Sequence, residues 1–117
     1  MESSSKACLM RIYIGEDQKY GKRLLYEAIV EEARTRGMAG ATVLRGVLGY
    51  AAESKIRNFK VLCLSEDLPV VVEVVDTEEK IREFTRAIGP MIQKGMATFE
   101  TVDRILFNGS GKGGGKP

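Results

Sequence analysis

Residues 37–50 form the segment of this sequence whose residue types could bind an anion. Arg45 lies among four glycines, which are Gly37, Gly40, Gly46 and Gly49. Three basic residues follow, which are Lys55, Arg57 and Lys60. Glycine lets a backbone approach a ligand closely, and the planar guanidinium of arginine can donate paired hydrogen bonds to a phosphate or carboxylate. A helix cap, a β-bulge and a solvated basic loop would use the same residues, so the spacing alone leaves both interpretations open.

The sequence has no histidine, which limits the chemistry that the protein can perform. A Ser-His-Asp triad, a Cys-His pair and an imidazole metal site are all excluded. Proton transfer would depend on carboxylates, Lys, Tyr or Cys. We therefore expect no catalytic residue, no metal site and no cofactor apart from a regulatory ligand. A small enzyme that uses Tyr, Lys and carboxylates is the least favoured alternative.

Length and charge narrow the class further. A chain of 117 residues is sufficient for one domain with its own core, and we expect a disordered N-terminus at 1–6, a domain at 7–107 and a flexible Gly/Lys tail at 108–117. The net charge of +2 does not favour nucleic-acid binding. Because we find no apolar leader and no apolar run of about 18 residues, the expected location is the cytoplasm.

Three further motifs have ordinary structural explanations. The acidic pairs at 16–17 and 66–67 could bind a cation, but carboxylates are also common in turns. Cys8 and Cys63 each lie in an apolar run, as small buried residues do in a reducing compartment. Residues 109–114 match Gly-x-Gly-x-x-Gly, yet no helix follows that could present its N-terminus to a phosphate.

Hydrophobic periodicity predicts the elements that must position these residues. The predicted strands are 7–15, 41–48, 59–64, 70–75 and 97–107, and the predicted helices are 22–36 and one that starts at Asp76, is interrupted at Gly89-Pro90 and ends at Gly95. Gly37 is the expected left-handed cap of the first helix. Asp76 and Glu79 have the spacing of a capping box. The valine run at 70–75 is typical of a central strand covered on both faces.

The element order predicts the fold class. Two β-α-β units of this length indicate an α+β fold of the ferredoxin-like type (βαββαβ), in which a four-stranded antiparallel sheet carries two helices on one face. The other face would receive Leu9, Val71, Val75 and Leu44. An uncovered apolar sheet face favours a closed homo-oligomer.

Several segments together are similar to the PII signalling superfamily. The passage from helix to strand at 37–43, followed by Gly49-Tyr50, resembles the segment that leads PII proteins into their T-loop. A closer resemblance is to the PII-like "domain of unknown function 190" family. It rests on Arg-Ile-Tyr-Ile-Gly-Glu at 11–16, Leu-Tyr-Glu-Ala-Ile-Val at 25–30, Gly-Ala-Thr-Val-Leu-Arg-Gly at 40–46 and Leu-Ser-Glu-Asp-Leu-Pro at 64–69.

The resemblance implies a homotrimer that binds adenine nucleotides in clefts between neighbouring subunits, with the T-loop reporting to a partner protein. On this basis Gly40, Thr42 and Gly49 would lie on the adenine side, and Arg45 would lie near the T-loop base, where a phosphate is met. The phosphate-binding loop of PII proteins is not reproduced, and the paired arginines of their last strand are reduced to Arg104. A smaller mononucleotide or another anion therefore fits better than ATP.

The leading hypothesis is a cytoplasmic, homotrimeric, PII-like regulatory protein that binds a small anionic, adenylate-type ligand between subunits and signals through residues 49–58. The candidate ligand-binding residues are Gly40, Thr42, Arg45, Gly46, Gly49, Lys55, Arg57 and Arg104. The alternative is a structural or adaptor homotrimer that partners a membrane transporter, such as a fluoride exporter, without binding nucleotide. Neither hypothesis involves nucleic acid or insertion into a membrane.

Overall fold

The computed structural model describes residues 2–50 and 68–107, which contain six strands and two helices. The strands are β1 (Glu2–Gly15), β2 (Lys19–Tyr20), β3 (Arg23–Leu24), β4 (Gly40–Arg45), β5 (Pro69–Asp76) and β6 (Met96–Phe107). The helices are α1 (Leu25–Thr35) and α2 (Glu78–Ile88), and a 3-10 turn at Gly89–Met91 follows α2.

The main sheet has the strand order β4-β5-β1-β6, and every neighbouring pair is antiparallel. β2 and β3 form a separate two-stranded hairpin. With α1 between β1 and β4, and α2 between β5 and β6, this order is that of a ferredoxin-like fold. The predicted α+β class, four-stranded antiparallel sheet and two helices are confirmed.

One face of the sheet and both helices build the hydrophobic core. Alternate residues of the two central strands point to this face, and each helix adds a stripe at three- and four-residue spacing. The main core residues are Met10, Ile12, Ile14, Val70, Val72, Val74, Leu25, Ile29, Ala33, Ile81, Phe84 and Ile88. The predicted apolar faces of β1, α1 and α2 therefore lie where periodicity placed them.

Local hydrogen bonds move two boundaries of the first β-α-β unit. α1 begins at Leu25 instead of residue 22, because the preceding residues form the β2–β3 hairpin. Gly37 has a φ of +71°, as expected of a left-handed helix cap. β4 ends at Arg45 instead of residue 48, because the chain turns away after the Gly46 amide donates to the Pro69 carbonyl.

The second helix is capped by a different residue from the one that spacing predicted. Thr77 is the N-cap, and its hydroxyl accepts a hydrogen bond from the Lys80 amide. Asp76 is the last residue of β5, so the capping-box assignment was wrong. The interruption at Gly89-Pro90 is confirmed, because α2 ends at Ile88 and the chain tightens into the 3-10 turn.

β1 and β6 extend beyond the rest of the sheet. β5 pairs with β1 only from Cys8 onwards, whereas β6 follows β1 as far as the pair Glu2 and Phe107. Residues 2–7 and 102–107 therefore form a two-stranded ribbon, which we call the arm. The expectation that residues 1–6 are disordered is wrong for 2–6, because the long β6 supplies backbone partners for them.

The face of the sheet opposite the helices, which we call the open face, is only partly covered. Leu9, Val71 and Val75 are half-buried there, and Leu44 is exposed. The predicted membership of this face is thus confirmed. Buried and half-buried residues alternate along β5, because the helices of the chain cover only one side of this strand. The prediction that both faces of β5 are covered is therefore wrong for a single chain.

Some predictions lie outside the described residues. They are the strand at 59–64, the residues Cys63, Lys55 and Arg57, the acidic pair at 66–67 and the tail at 108–117. Within the two described ranges, no helix is long and apolar enough to cross a membrane.

Candidate functional site

Arg45 ends β4 at the point where the chain leaves the sheet, and its guanidinium already has a partner. Its Nη2 donates a hydrogen bond to the Glu16 carboxylate. Glu16 is itself held in place, because its amide donates to the Leu68 carbonyl at 2.8 Å. An anion at Arg45 would therefore compete with a carboxylate of the same chain.

The neighbouring glycines have a structural explanation in the way the chain turns against Pro69. A Cβ at Gly46 would lie 3.0 Å from the Pro69 Cγ, which is closer than side chains normally pack. Gly49 has a φ of +148°, which favours glycine, and it also lies against Pro69. The predicted ligand-binding roles of these two glycines find no support in these contacts.

Gly40 and Thr42 lie at the outer edge of the sheet. Gly40 pairs with Val75, and Thr42 pairs with Glu73 of the open face. Both residues are exposed, and a Cβ on Gly40 would meet nothing within 4 Å. The two residues are thus accessible to a ligand that approaches from the open face or from the edge of the sheet.

Arg104 lies in the arm, and its guanidinium is the least satisfied polar group in the described part of the chain. Its side chain is only 16% exposed. Nε and Nη1 are buried and donate no hydrogen bond to any described residue. Its ion-pair partner is Asp76, but the Nη1 to Oδ1 distance of 3.9 Å is too long for a hydrogen bond.

Asp76 is the buried carboxylate that connects this arginine to the fold. Its Oδ2 accepts a hydrogen bond from the Ala39 amide at 2.9 Å, and its Oδ1 accepts one from the Thr77 amide at 2.7 Å. The Lys80 ammonium lies 3.5 Å from Oδ2. Asp76 thereby ties the turn before β4, the start of α2 and Arg104 together.

Sequence reasoning treated Asp76 only as a helix cap. The signal that could have revealed it is a carboxylate placed on the core-facing positions of a valine strand.

The described candidate residues form two groups at opposite ends of β4. Gly40 adjoins the Asp76 carboxylate through the Ala39 amide, and therefore lies toward Arg104. Arg45, Gly46 and Gly49 lie toward Pro69 instead. Gly40 and Arg45 are five residue steps apart along β4, a distance of about 17 Å. One chain by itself does not bring Arg45 and Arg104 to the same point.

A charged cluster occupies the centre of the open face, which sequence analysis did not identify. Arg11 on β1 donates from Nε to Glu73 and from Nη1 to Glu100, each at 3.1 Å. Both hydrogen bonds raise the pKa of the Arg11 guanidinium, and the one to Glu73 has the larger effect. One cation between two carboxylates leaves the cluster with a net charge of −1.

A thiol lies beside these residues, and a cavity lies away from the candidate site. Cys8 pairs with Asp76 in the sheet. Cys8 is buried under the helices, and desolvation raises the pKa of its thiol, so the thiolate is disfavoured at neutral pH. A cavity of about 250 Å³ between α1 and the end of α2 is lined by Tyr20, Arg23 and Glu31 among others. None of the candidate ligand-binding residues lines this cavity.

Comparisons with known proteins identify the family. The model of the DUF190 family, described as Uncharacterized ACR, COG1993, matches residues 7–104. A UPF0166 protein of Aquifex aeolicus (strain VF5) is 40% identical over 102 residues, which are 87% of this chain and 96% of that protein.

Solved structures show the same fold at low sequence identity. CPII of Thiomonas intermedia K12, a nitrogen regulatory PII-like protein, has in its apo form a TM-score of 0.61 at 11% identity, with 91% of this chain and 99% of that chain covered. A CPII structure bound to ADP, AMP and acetate has a TM-score of 0.62 at 12% identity, with coverage of 87% and 91%. A PII-like protein of Thermus thermophilus has a TM-score of 0.58 at 19% identity, with coverage of 86% and 90%. The arrangement of sheet and helices described above is thus PII-like, and the chain belongs to the DUF190 family.

Proposed function

We propose that this protein is a homotrimeric, PII-like regulator in the cytoplasm that binds a small anionic ligand of the adenylate type between subunits. The observation that carries the proposal is the guanidinium of Arg104, whose Nε and Nη1 are buried without a hydrogen-bond acceptor among the described residues. A buried donor without an acceptor costs about 1–3 kcal/mol. A phosphate or carboxylate at this point would supply the missing acceptors and favour the bound state.

The positions of the other candidates support a site shared between subunits. Arg104 and Gly40 lie toward one end of the sheet, whereas Arg45 lies about 17 Å away along β4. In a ring of identical subunits, one end of each copy contacts a different surface of the next. Such a ring could bring Arg104 of one copy near Arg45 of its neighbour. The half-buried apolar residues of the open face favour the same self-association.

The ligand class is inferred from the fold neighbours and from the charges of this chain. CPII, which shares the fold, binds ADP and AMP. The described part of this chain offers two candidate arginines, of which Arg45 is already paired with Glu16. This limited positive charge favours a monophosphate or diphosphate over a triphosphate. We infer a regulator and not an enzyme, with residues 49–58 as the signalling segment, because this segment begins three residues after Gly46.

Calorimetry and thermal shift with AMP, ADP, ATP, cyclic AMP and inorganic phosphate test the proposal. We expect saturable binding of at least one nucleotide. Arg104→Met should weaken that binding at least tenfold, because it removes the donors and keeps the length of the side chain. The matched control is Arg82→Met, at an exposed residue of α2 whose partner is Glu78. The affinity of this variant for the nucleotide should stay within twofold of that of the unchanged protein.

Two further results complete the design. Arg104→Lys keeps the charge and removes the planar arrangement of donors, so it should also weaken binding. It takes the place of Arg104→Met if that variant does not fold. Absence of heat and of thermal shift with every nucleotide would disprove the ligand proposal. Light scattering that reports a single 12.9 kDa particle at micromolar concentration would disprove the shared site.

A further inference from the structure

The tip of the arm exposes apolar side chains on both faces of a two-stranded ribbon. Ile105, Leu106 and Phe107 are consecutive in β6, so they alternate between the two faces. All three are exposed, and Phe107 is 79% exposed. An isolated two-stranded ribbon is only marginally stable in water. This ribbon therefore needs a cover.

No described element of the same chain covers the tip. β5 ends opposite Cys8, and its register leaves residues 2–7 paired with β6 alone. α2 begins just after β5 and returns toward the opposite end of the sheet, where Gly95 adjoins Ile14. The ion pair that joins the arm to β5, between Arg104 and Asp76, lies near the base of the arm and not at its tip.

The length of the remaining chain excludes a cover from the segment between Tyr50 and Leu68. Both ends of this segment lie near Pro69, which pairs with Gly15 at the far end of β1. From Gly15 to Glu2 is about 43 Å of strand. Reaching the tip and returning would take about 86 Å, whereas the 18 steps from Tyr50 to Leu68 span about 63 Å at most. The tail after Phe107 contains only Asn, Gly, Ser, Lys and one Pro, so it cannot supply an apolar cover either.

A second exposed apolar patch lies at the opposite end of the molecule. Val47, Leu48 and Tyr50 follow β4, and Val47 is 90% exposed. Beside the loop Arg45 is paired with Glu16, and in the arm Lys6 is paired with Asp103. Contact between the two patches would bury apolar surface on both copies.

We infer that the arm tip of one copy, formed by Ile105, Leu106 and Phe107, packs against the loop at Val47, Leu48 and Tyr50 of a second copy. The contact is head-to-tail, because the two patches differ and lie at opposite ends of the chain. Such a contact closes into a ring when the rotation between copies allows it. The inference rests on the self-association in the proposed function and does not need the ligand.

Cross-linking tests this contact directly. In the full chain with Leu48→Cys and Phe107→Cys together, the two thiols of one copy are about 40 Å apart along the sheet. A short bismaleimide can therefore join them only between copies. We expect a ladder of covalent oligomers that stops at the size of the closed ring. Each single variant should give no product beyond that of the unchanged chain, which controls for Cys8 and Cys63. The control pair is Arg86→Cys with Phe107→Cys, which should give no ladder.

A matched pair of charge substitutions gives an independent measurement. Phe107→Glu should raise the dissociation constant of the oligomer at least tenfold by light scattering across a dilution series. Phe99→Glu, on the same strand at a side chain that is 51% exposed but outside the arm, should change it less than twofold. Equal effects of the two substitutions, or no ladder for the Leu48 and Phe107 pair, would overturn the inference.

Other outcomes separate this inference from the proposed ligand. A ladder without nucleotide binding supports the contact and removes the ligand proposal. Nucleotide binding with no ladder removes the contact alone. A chain that stays monomeric at all concentrations overturns the inference, since the arm would then have to be covered by a different protein.

Discussion

The two faces of β1 differ in what completes them. On one face Met10, Ile12 and Ile14 are fully buried under α1 and α2. On the other face Leu9 and Tyr13 are half-buried, and Arg11 lies between two carboxylates. The covered face obtains its packing within one chain, whereas the open face and the arm keep apolar surface in contact with water. Residues that fit the alternating strand pattern equally well therefore need not contribute equally to the stability of a single chain.

The largest contrast is expected between a residue under the helices and one on the open face. Phe84 is completely buried, so Phe84→Ala should lower the free energy of unfolding by about 3–5 kcal/mol. Leu44→Ala on the open face should cost about 0.5 kcal/mol or less in dilute solution. Urea unfolding at two protein concentrations measures both values. Similar losses for the two variants in dilute protein would contradict the distinction between the faces.

Asp76 tests the junction between the covered core and the arm. Asp76→Ala should lower the free energy of unfolding by about 3 kcal/mol, because it leaves the buried Arg104 charge without its partner and two amides without an acceptor. The control is Asp103→Ala, whose exposed carboxylate pairs with Lys6, and which should cost about 0.5 kcal/mol at most. Chemical denaturation followed by circular dichroism measures the pair. An equal cost for both carboxylates would show that burial of Asp76 does not matter.

Two glycines sharpen the comparison at the level of packing. At Gly95, a Cβ would lie 2.8 Å from the Ile14 Cγ2 and 2.9 Å from the Tyr13 carbonyl oxygen. Gly95→Ala should therefore lower the free energy of unfolding by about 1–3 kcal/mol. At Gly40 the added methyl meets nothing within 4 Å, so Gly40→Ala should leave stability unchanged or raise it by up to about 1 kcal/mol. Thermal unfolding of the two variants distinguishes the positions, and a stable Gly95→Ala protein would show that β1 shifts easily.

The smallest expected effect is a dependence on pH that comes from the covered face. Burial raises the pKa of the Cys8 thiol in the folded protein. Above the unfolded pKa of about 8.5, the folded protein therefore keeps a proton that the unfolded chain loses. That contribution to stability is fully present below about pH 8.5 and declines as the pH rises through the folded value. Cys8→Ala should remove this decline when urea unfolding is compared at about pH 7.5 and about pH 9.5, on either side of the unfolded pKa. An identical decline in both proteins would exclude Cys8 as its source.

The fold was predictable because local patterns and core formation agree. Period-two alternation marked the buried face of β1, and three- and four-residue spacing marked the faces of α1 and α2, as in Ile81, Phe84 and Ile88. Boundaries were less predictable, because a backbone hydrogen bond decides where a strand stops. The Gly46 amide that ends β4 is one example. The arm is another, since nothing in the polar sequence of residues 2–6 indicates that β6 continues alongside them.

The candidate site was predictable in its residue types and not in its arrangement. Arg45 and Arg104 were chosen as anion-binding residues, but only the structure shows that Glu16 already occupies Arg45 and that Arg104 has unpaired donors. Gly46 and Gly49 were attributed to a ligand, whereas their contacts are with Pro69. A sequence pattern reports which groups are present, but it does not report which of them satisfy one another.

The sequence by itself determined the α+β class, the two amphipathic helices, the face of the sheet that they cover and the absence of histidine chemistry, because these depend on composition and on short-range periodicity. The tertiary structure alone decided that Asp76 is a buried link between β5, α2 and Arg104, that Arg11 lies between Glu73 and Glu100, and that residues 2–7 and 102–107 form an arm. These features join residues far apart in the chain, and such contacts arise only when strand register and order bring the side chains together.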